Sequence, residues 1–280
     1  MRGAREALPL HQLRHGADAP RRGRSQAAGA RRRGGAGAQG AGPLKRSGRR
    51  PPAFSIRRRV PMDGTTTAPK IATARDVMGL GPFIPVVTIE DAADGPALAR
   101  ALLAGGLRSV EVTLRTPQAL DAIHAIAAQV PEIVVGAGTL LAPADVTRAR
   151  KAGARFGVSP GFTISVSEAA REAEFPLLPG AVTPSEIMAA RERGFTALKF
   201  FPAKAMGGLD ALKNYVPVFA DVVFCPTGGI LLADGPSYLA FPNVPCYGSA
   251  WAATADMIRA RDWKTITENA RKAAAQKPAA

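Results

Sequence analysis

A regular alternation of short apolar runs with helix-like stretches constrains the fold of this chain more than any other feature. From Phe83 onward the apolar runs begin at intervals of roughly two dozen residues, the spacing of a repeated strand–helix unit. The stretches between them are rich in Ala, Arg and Glu, and several open with the Pro or Asp that commonly starts a helix. The predicted strands are Phe83–Ile89, Ser109–Arg115, Ile133–Thr139, Phe156–Gly161, Phe175–Ala181, Ala197–Ala203, Asp221–Ile230 and Pro245–Trp251.

Eight strand–helix units in one chain favour an α/β fold of the closed (β/α)8 type, the TIM barrel, over a doubly wound sheet. The barrel region has about 190 residues, which is small for this fold, so the doubly wound sheet stays open as the alternative. The stretch Ala72–Gly79, just before the first strand, is expected to form a short helix that caps the barrel floor. In such a barrel the chemistry lies at the C-terminal ends of the strands.

The net charge of +15 is concentrated at the start of the chain. Residues 1–61 contain 16 of the 37 Lys and Arg residues but only 2 of the 22 Asp and Glu residues. The remaining residues, 62–280, are therefore nearly neutral, which gives no electrostatic reason to expect a nucleic-acid partner.

Residues 1–61 are mostly Arg, Ala, Gly and Pro without a hydrophobic period, and we expect them to be disordered. Three interpretations of this tail stay open: a basic arm for an acidic partner, an organelle transit peptide, or sequence upstream of a true start at Met62. The GC-rich codons of its main residue types favour the last. Residues 62–280 are predicted to form a single barrel domain.

The residue types that bind metals are scarce in the predicted domain. His124 is its one histidine, on a predicted outer helix, and Cys225 and Cys246 are too few for a disulfide framework and lack zinc spacing. We therefore expect no metal and no cofactor. The chain has neither an apolar run of roughly 20 residues, which a membrane span needs, nor a secretory signal. A cytoplasmic protein without a membrane partner is expected.

The second predicted strand carries charged residues at alternating positions. Val110, Val112 and Leu114 are predicted to face the helices, which points Glu111, Thr113 and Arg115 into the barrel together. A structural ion pair is one interpretation, but buried charges rarely stabilise a fold better than apolar packing does. The favoured interpretation is a carboxylate for proton transfer and an arginine that binds a substrate carboxylate.

The sixth predicted strand has Lys199 within an apolar run. Buried lysines are rare without a function, because burial disfavours the charged ammonium, and a neutral amine can attack a ketone to form an imine. The strand pattern alone also permits the opposite phase, in which Leu198 and Phe200 point inward. Placing Glu111 inside the same barrel favours the inward lysine.

Glycine-rich turns follow several other strands. Gly228-Gly229 after strand seven and Gly248-Ser249 after strand eight match the place where barrels bind phosphate through backbone N–H groups. Ordinary turn chemistry is the alternative for both, as it is for Ser159-Pro160-Gly161 after strand four.

Six motifs, in order and at matching intervals over about Val77 to Lys272, together resemble the 2-keto-3-deoxy-6-phosphogluconate (KDPG) / 4-hydroxy-2-oxoglutarate (KHG) aldolase family. The motifs are Ile84-Pro85-Val86-Val87, Glu111-Val112-Thr113-Leu114-Arg115, Gly136-Ala137-Gly138-Thr139, Ser159-Pro160-Gly161, Lys199-Phe200-Phe201-Pro202-Ala203 and Cys225-Pro226-Thr227-Gly228-Gly229-Ile230.

The resemblance implies a metal-free, homotrimeric class I lyase of the Entner–Doudoroff pathway, which cleaves the phosphorylated keto acid to pyruvate and glyceraldehyde 3-phosphate. It implies that KHG is a further substrate. The galactonate-derived epimer and a phosphate-binding barrel without lyase activity are the alternatives. The resemblance implies these roles: Lys199 forms the imine, Glu111 is the general acid/base, Arg115 and Thr139 bind the pyruvate carboxylate, Pro160 and Phe201 line the pocket, and Gly228, Gly229, Gly248 and Ser249 bind phosphate.

Two positions depart from the family pattern. The chain reads Gly248-Ser249-Ala250-Trp251 where the family often reads Gly-Gly-Ser-Trp, so the hydroxyl comes one place earlier. Backbone N–H groups are therefore expected to contribute more of the phosphate binding. Lys204 stands where the family often has an acidic or small residue. We interpret it as a solvent-exposed loop charge, with a phosphate contact as the alternative.

Overall fold

All eight predicted strands form in the computed structural model, which describes residues 69–278. The predicted tail, residues 1–61, lies outside the described residues. Each strand is shorter than predicted or ends earlier. The strands are β1 Phe83–Val87, β2 Ser109–Thr113, β3 Val134–Gly138, β4 Gly157–Val158, β5 Leu177–Leu178, β6 Ala197–Phe200, β7 Val223–Pro226 and β8 Tyr247–Ser249.

Helices alternate with these strands, as the repeat predicted. Short 3-10 turns at Ala92–Asp94 and Lys204–Met206 precede two of the helices. Of the helices between residues 69 and 278, none combines the length and hydropathy needed to cross a bilayer. The helices are α1 Ala74–Met78, α2 Gly95–Ala104, α3 Ala119–Gln129, α4 Pro143–Lys151, α5 Ile164–Glu172, α6 Pro184–Glu192, α7 Gly208–Val218, α8 Gly235–Leu239, α9 Ala255–Arg259 and α10 Trp263–Ala274.

The strands form a curled parallel sheet rather than a continuous eight-stranded ladder. Six strands pair in the order β5-β4-β3-β2-β1-β8, and β6 pairs with β7 in a separate two-stranded sheet. Pairing of the first strand with the last is not the topology of a doubly wound sheet, which has its first strand in the interior of an open sheet. Single parallel bridges, Gly180↔Lys199 and Thr227↔Gly248, connect the two sheets on either side.

Proline limits the length of the shortest strands. Pro176 and Pro179 flank β5, and Pro160 follows β4 by one residue. Proline has no N–H to donate to a neighbouring strand, so regular pairing in β5 is confined to the two residues between its prolines. The predicted strands were therefore in the right places but too long at their ends.

Alternate side chains of the strands enter two separate apolar clusters. Residues on the convex side pack against the helices, as predicted for Val110 and Val112, and Leu198 is among them. Residues on the concave side form an inner cluster with contributions from six of the strands, including Ile84 and Val158. This inner cluster fills the lower part of the curled sheet and leaves the C-terminal strand ends for polar residues.

Helix α1 closes the N-terminal end of the inner cluster, where the sequence predicted a capping helix. Thr73 caps its first turn by accepting a hydrogen bond from the Asp76 N–H. Ala74, Val77 and Met78 pack into the inner cluster. With this end of the sheet covered, the open end lies at the C-termini of the strands.

Candidate active site

A buried ion pair lies between two strands of the concave face. Lys199 Nζ on β6 is 3.1 Å from Glu111 Oε1 on β2, and their side chains are 7% and 4% exposed. The two strands are separated in the sequence by 88 residues, so the curl of the sheet brings them together. The structure thus places the predicted lysine and the predicted carboxylate within hydrogen-bond distance of each other.

The phase of β6, which the sequence left open, points Lys199 inward. Leu198 and Phe200 belong to the apolar cluster on the convex side, against the helices, whereas Ala197 belongs to the inner cluster. The Phe201 ring lies with its centroid 5.1 Å from Lys199 Nζ, a distance at which an aromatic face attracts a cation. Lys199 is therefore held between a carboxylate and an aromatic ring.

Gly138, the last residue of β3, makes room for the Glu111 carboxylate. A Cβ at this position would lie 2.2 Å from Glu111 Oε1 and 2.7 Å from its Cγ, closer than real Cβ contacts come. Glu111 therefore occupies the space that a side chain on the neighbouring strand would take. The glycines of this motif were a weak signal in the sequence, and the contact gives one of them a specific position in the site.

Two hydroxyl groups lie at the ends of β1 and β2. The Thr113 hydroxyl donates to the Val87 carbonyl at 3.0 Å, and its oxygen is 2.9 Å from Thr88 Oγ1. Because a hydroxyl has one proton to donate, Thr88 is the donor to Thr113, which leaves the Thr88 oxygen as an acceptor. Thr88 is half-buried. The sequence reasoning missed Thr88, and the signal was a hydroxyl residue directly after an apolar strand.

The residues predicted to bind a carboxylate lie just beyond their strands. Arg115 follows β2 and is exposed, and its guanidinium forms no hydrogen bond or ion pair with any residue between 69 and 278. Thr139 follows β3, is half-buried and has a φ of 63°. A left-handed backbone at a residue other than glycine costs on the order of 1–3 kcal/mol and is often found at functional sites.

The ends of β4 and β5 approach each other closely beside the lysine. Pro160 is half-buried, and a Cβ at Gly180 would lie 2.1 Å from the Pro160 carbonyl oxygen. Gly180 is also the residue that forms the bridge to Lys199. Pro160 therefore follows β4 and Phe201 follows β6, the strand that carries Lys199, and their place in a pocket wall stays a prediction.

The glycine-rich turn after β7 lies beside β8, which contains Gly248 and Ser249. Gly228 and Gly229 have φ values of 103° and 75°, and a Cβ at Gly228 would lie 3.3 Å from the Phe201 ring. A Cβ at Gly248 would lie 2.5 Å from Thr227 Oγ1, so the segment after β7 is in contact with β8. The Ser249 hydroxyl is buried and donates to the Ile230 carbonyl at 2.6 Å.

The two cysteines lie in the inner cluster below this site. The hydrogen bond with Cys225, together with burial, raises the pKa of the Cys246 thiol well above its usual value. A thiol held in its protonated form is a poor nucleophile. Within the described range, residues 69–278, His, Cys, Asp and Glu do not cluster in groups of three that would suit a metal ion.

The arrangement suits chemistry that begins with an amine and a proton acceptor. A lysine in contact with a carboxylate can pass it a proton, which leaves the neutral amine that attacks carbonyl carbons. The same carboxylate can then move protons on a bound substrate. Arg115 follows β2, the strand that carries Glu111.

Comparisons with known proteins agree with this chemistry. A family model described as KDPG and KHG aldolase matches residues 74–269. The KHG/KDPG aldolase of Escherichia coli K12 is 45% identical over 201 residues, which cover 72% of this chain and 94% of that relative. The 2-dehydro-3-deoxy-phosphogluconate aldolase of Pseudoalteromonas atlantica is 44% identical over 203 residues, with the same coverage of 72% and 94%.

Solved structures of such aldolases resemble the described fold. The 2-keto-3-deoxy-6-phosphogluconate aldolase of Zymomonas mobilis superposes with a TM-score of 0.71 at 45% identity, covering 74% of this chain and 98% of its own. A KDPG aldolase of Legionella pneumophila, solved with pyruvate captured at low pH as a covalent carbinolamine intermediate, gives 0.70 at 41% identity, covering 71% and 97%.

Proposed function

This chain belongs to the KDPG and KHG aldolase family, and we propose that it cleaves 2-dehydro-3-deoxy-6-phosphogluconate through a Schiff base on Lys199. The products are pyruvate and glyceraldehyde 3-phosphate, and the enzyme is an aldehyde-lyase. The observation that carries the proposal is the buried contact of 3.1 Å between Lys199 Nζ and Glu111 Oε1.

The first half of the mechanism forms the imine. Glu111 accepts a proton from the Lys199 ammonium, and the neutral amine attacks C2 of the keto acid to give a carbinolamine. Glu111 returns a proton to the departing hydroxyl, water leaves, and a protonated imine remains. The Phe201 ring, which lies 5.1 Å from the lysine nitrogen, favours this cationic intermediate. The carbinolamine captured in the Legionella pneumophila relative is the species that precedes such an imine.

The second half breaks the carbon–carbon bond. Glu111 removes the proton of the C4 hydroxyl, and the electrons of the C3–C4 bond move into the cationic imine. The aldehyde is released and an enamine of pyruvate remains. Glu111 then donates its proton to C3, and addition of water releases pyruvate and restores Lys199. A carboxylate that serves several steps must lie close to both the amine and the substrate.

The remaining residues bind the ends of the substrate. We assign the pyruvate carboxylate to Arg115 and Thr139, because a guanidinium binds a carboxylate through two parallel hydrogen bonds. Pro160 and Phe201 line the wall of the pocket. Gly228, Gly229 and Gly248 are assigned to the phosphate, whereas the Ser249 hydroxyl, which donates to Ile230, supports the loop.

The fold that supports this site is proposed to be a closed eight-stranded barrel. The single bridges Gly180↔Lys199 and Thr227↔Gly248 support closure, because they lie at the two junctions between the six-stranded and two-stranded sheets. Residues 62–280 would then form one catalytic domain. The two cysteines, Cys225 and Cys246, are free thiols, which is typical of the reducing cytoplasm in which we place the enzyme.

The substrate range is proposed to include KHG. The Escherichia coli relative is named for both activities, and KHG shares the 2-keto acid half that Lys199, Arg115 and Thr139 would bind. The galactonate-derived epimer differs at one hydroxyl, and it remains the second candidate substrate. The free acceptor on Thr88, at the end of β1, is a candidate contact for substrate hydroxyls.

Borohydride reduction in the presence of pyruvate tests the proposed mechanism. We expect a stable adduct of one pyruvate per chain, located by peptide mass spectrometry on Lys199, because borohydride reduces an imine to a secondary amine. The same preparation should release pyruvate from 2-dehydro-3-deoxy-6-phosphogluconate. A folded protein that gives neither an adduct nor cleavage would contradict the lyase assignment and favour a phosphate-binding barrel without that chemistry.

The enzyme is also proposed to be a homotrimer. Leu141 and Ile164, which follow the adjacent strands β3 and β4, are 66% and 50% exposed, and exposed large apolar side chains favour a subunit interface. We expect native mass spectrometry to give three chains and Leu141→Glu to reduce the trimer. Val218→Glu, at an exposed apolar residue on the opposite end of the strands, is the control. A monomeric wild-type protein would contradict the proposal.

A further inference from the structure

Lys204 is attached by backbone hydrogen bonds to the glycine turn after β7. It begins the 3-10 turn that follows β6, and its N–H donates to the Gly228 carbonyl at 3.2 Å. The preceding N–H, of Ala203, donates to the Thr227 carbonyl at 2.8 Å. The position of Lys204 relative to this turn is therefore fixed by two contacts of its own segment.

The side chain of Lys204 runs beside Gly229. Its Cβ and Cδ lie 3.0 and 3.3 Å from the point where a Gly229 Cβ would be. The amine is two bonds beyond Cδ, so it remains within reach of the same turn. Lys204 is exposed, and no acidic residue in the described range forms an ion pair with it. Its charge therefore has no protein partner there.

The turn beside Lys204, and the end of the neighbouring strand β8, contain backbone N–H groups that donate to no residue of the described range. Within the described part of the chain, the N–H groups of Gly228, Gly229 and Ala250 donate to no protein atom. The Ser249 hydroxyl, the side-chain donor nearest in sequence, is already used by the Ile230 carbonyl. An anion at this place would meet backbone dipoles, and Lys204 is the cationic side chain packed on the turn.

We propose that Lys204 binds the phosphate group of the substrate and gives the enzyme a preference for phosphorylated over unphosphorylated keto acids. A lysine ammonium is a flexible point charge, which suits a phosphate dianion held mainly by backbone N–H groups. This inference rests on the proposed aldolase function and adds a binding residue to it. Lys204 takes no part in the chemistry at Lys199.

The test compares two substrates in a series of charge variants. We expect Lys204→Gln to raise KM for 2-dehydro-3-deoxy-6-phosphogluconate by about 10-fold, the scale of one charge-assisted contact. Lys204→Glu should raise it further, and Lys204→Arg should keep most of the affinity. For unphosphorylated 2-dehydro-3-deoxygluconate, Lys204→Gln should change KM by at most about twofold. Lys213→Gln, which removes an exposed lysine on α7, is the matched control.

The outcomes separate this proposal from the proposed function. If wild type cleaves the phosphorylated substrate and Lys204→Gln leaves its KM unchanged, the role of Lys204 is contradicted and the aldolase assignment stands. If Lys204→Gln raises KM for both substrates by the same factor, Lys204 supports the loop rather than binding phosphate. This result would also contradict the proposal. If wild type neither cleaves the substrate nor forms a borohydride adduct, the proposed function itself fails.

Discussion

Lys199→Met is expected to reduce aldol cleavage by on the order of 10⁶-fold, the scale observed when an enzyme loses its covalent nucleophile. Methionine has a similar length and fills the space between Glu111 and Phe201, but it has no amine to form an imine. The borohydride adduct with pyruvate should disappear as well. Steady-state release of pyruvate and intact mass spectrometry measure the two effects.

The control for this substitution must keep the charge in the site. Removing one partner of a buried ion pair costs about 3–5 kcal/mol of stability, because the remaining charge is left unpaired. Lys199→Arg keeps a cation beside Glu111 but offers no neutral amine, since guanidinium stays protonated. We expect this variant to be folded and equally inactive. An adduct in Lys199→Met, on any other lysine, would assign the nucleophile elsewhere.

Glu111→Gln is expected to lower kcat for cleavage by about 10²–10⁴-fold, the usual contribution of a general acid or base. Glutamine keeps the shape of the side chain in its space beside Gly138 but cannot accept a proton from the C4 hydroxyl. Exchange of the pyruvate methyl protons with deuterated solvent, followed by NMR, should slow by a similar factor, because the same carboxylate moves the proton to and from C3.

Formation of the imine distinguishes a specific loss of proton transfer from a general loss of structure in this variant. Glu111→Gln should still yield some borohydride adduct on Lys199 during a long incubation, whereas a misfolded site would yield none. Glu111→Asp keeps the carboxylate on a shorter side chain and should retain more activity than Glu111→Gln. Equal rates in wild type and Glu111→Gln would remove Glu111 from the proposed role.

The positions of the strands were predictable because the repeat itself is strong. Each apolar run from Phe83 onward became a strand, and the curled parallel sheet has the first and last strands paired. The ends were less predictable, because an apolar run does not reveal where hydrogen bonding stops. Pro176 and Pro179 shorten β5 by lacking N–H donors, although both belong to the predicted strand.

The candidate site was predictable where the signal was a charge within an apolar strand. Glu111 and Lys199 stood out for that reason, and the structure brings them into contact. The hydrogen-bond partners of small polar residues were not predictable, because the partner of each hydroxyl depends on which groups of other strands and turns lie beside it. Ser249 donates to the carbonyl of Ile230, on a different turn, and the Thr88 hydroxyl bonds to that of Thr113, on the next strand.

The space at Gly138 has a consequence for changing this enzyme by design. The carboxylate of Glu111 lies where a Cβ on β3 would stand, 2.2 Å from Oε1. The distance from Glu111 to Lys199 is therefore set partly by the absence of a side chain on the adjacent strand. A single methyl group added there, as in Gly138→Ala, would displace the Glu111 carboxylate and so alter proton transfer while both reacting groups stay chemically intact.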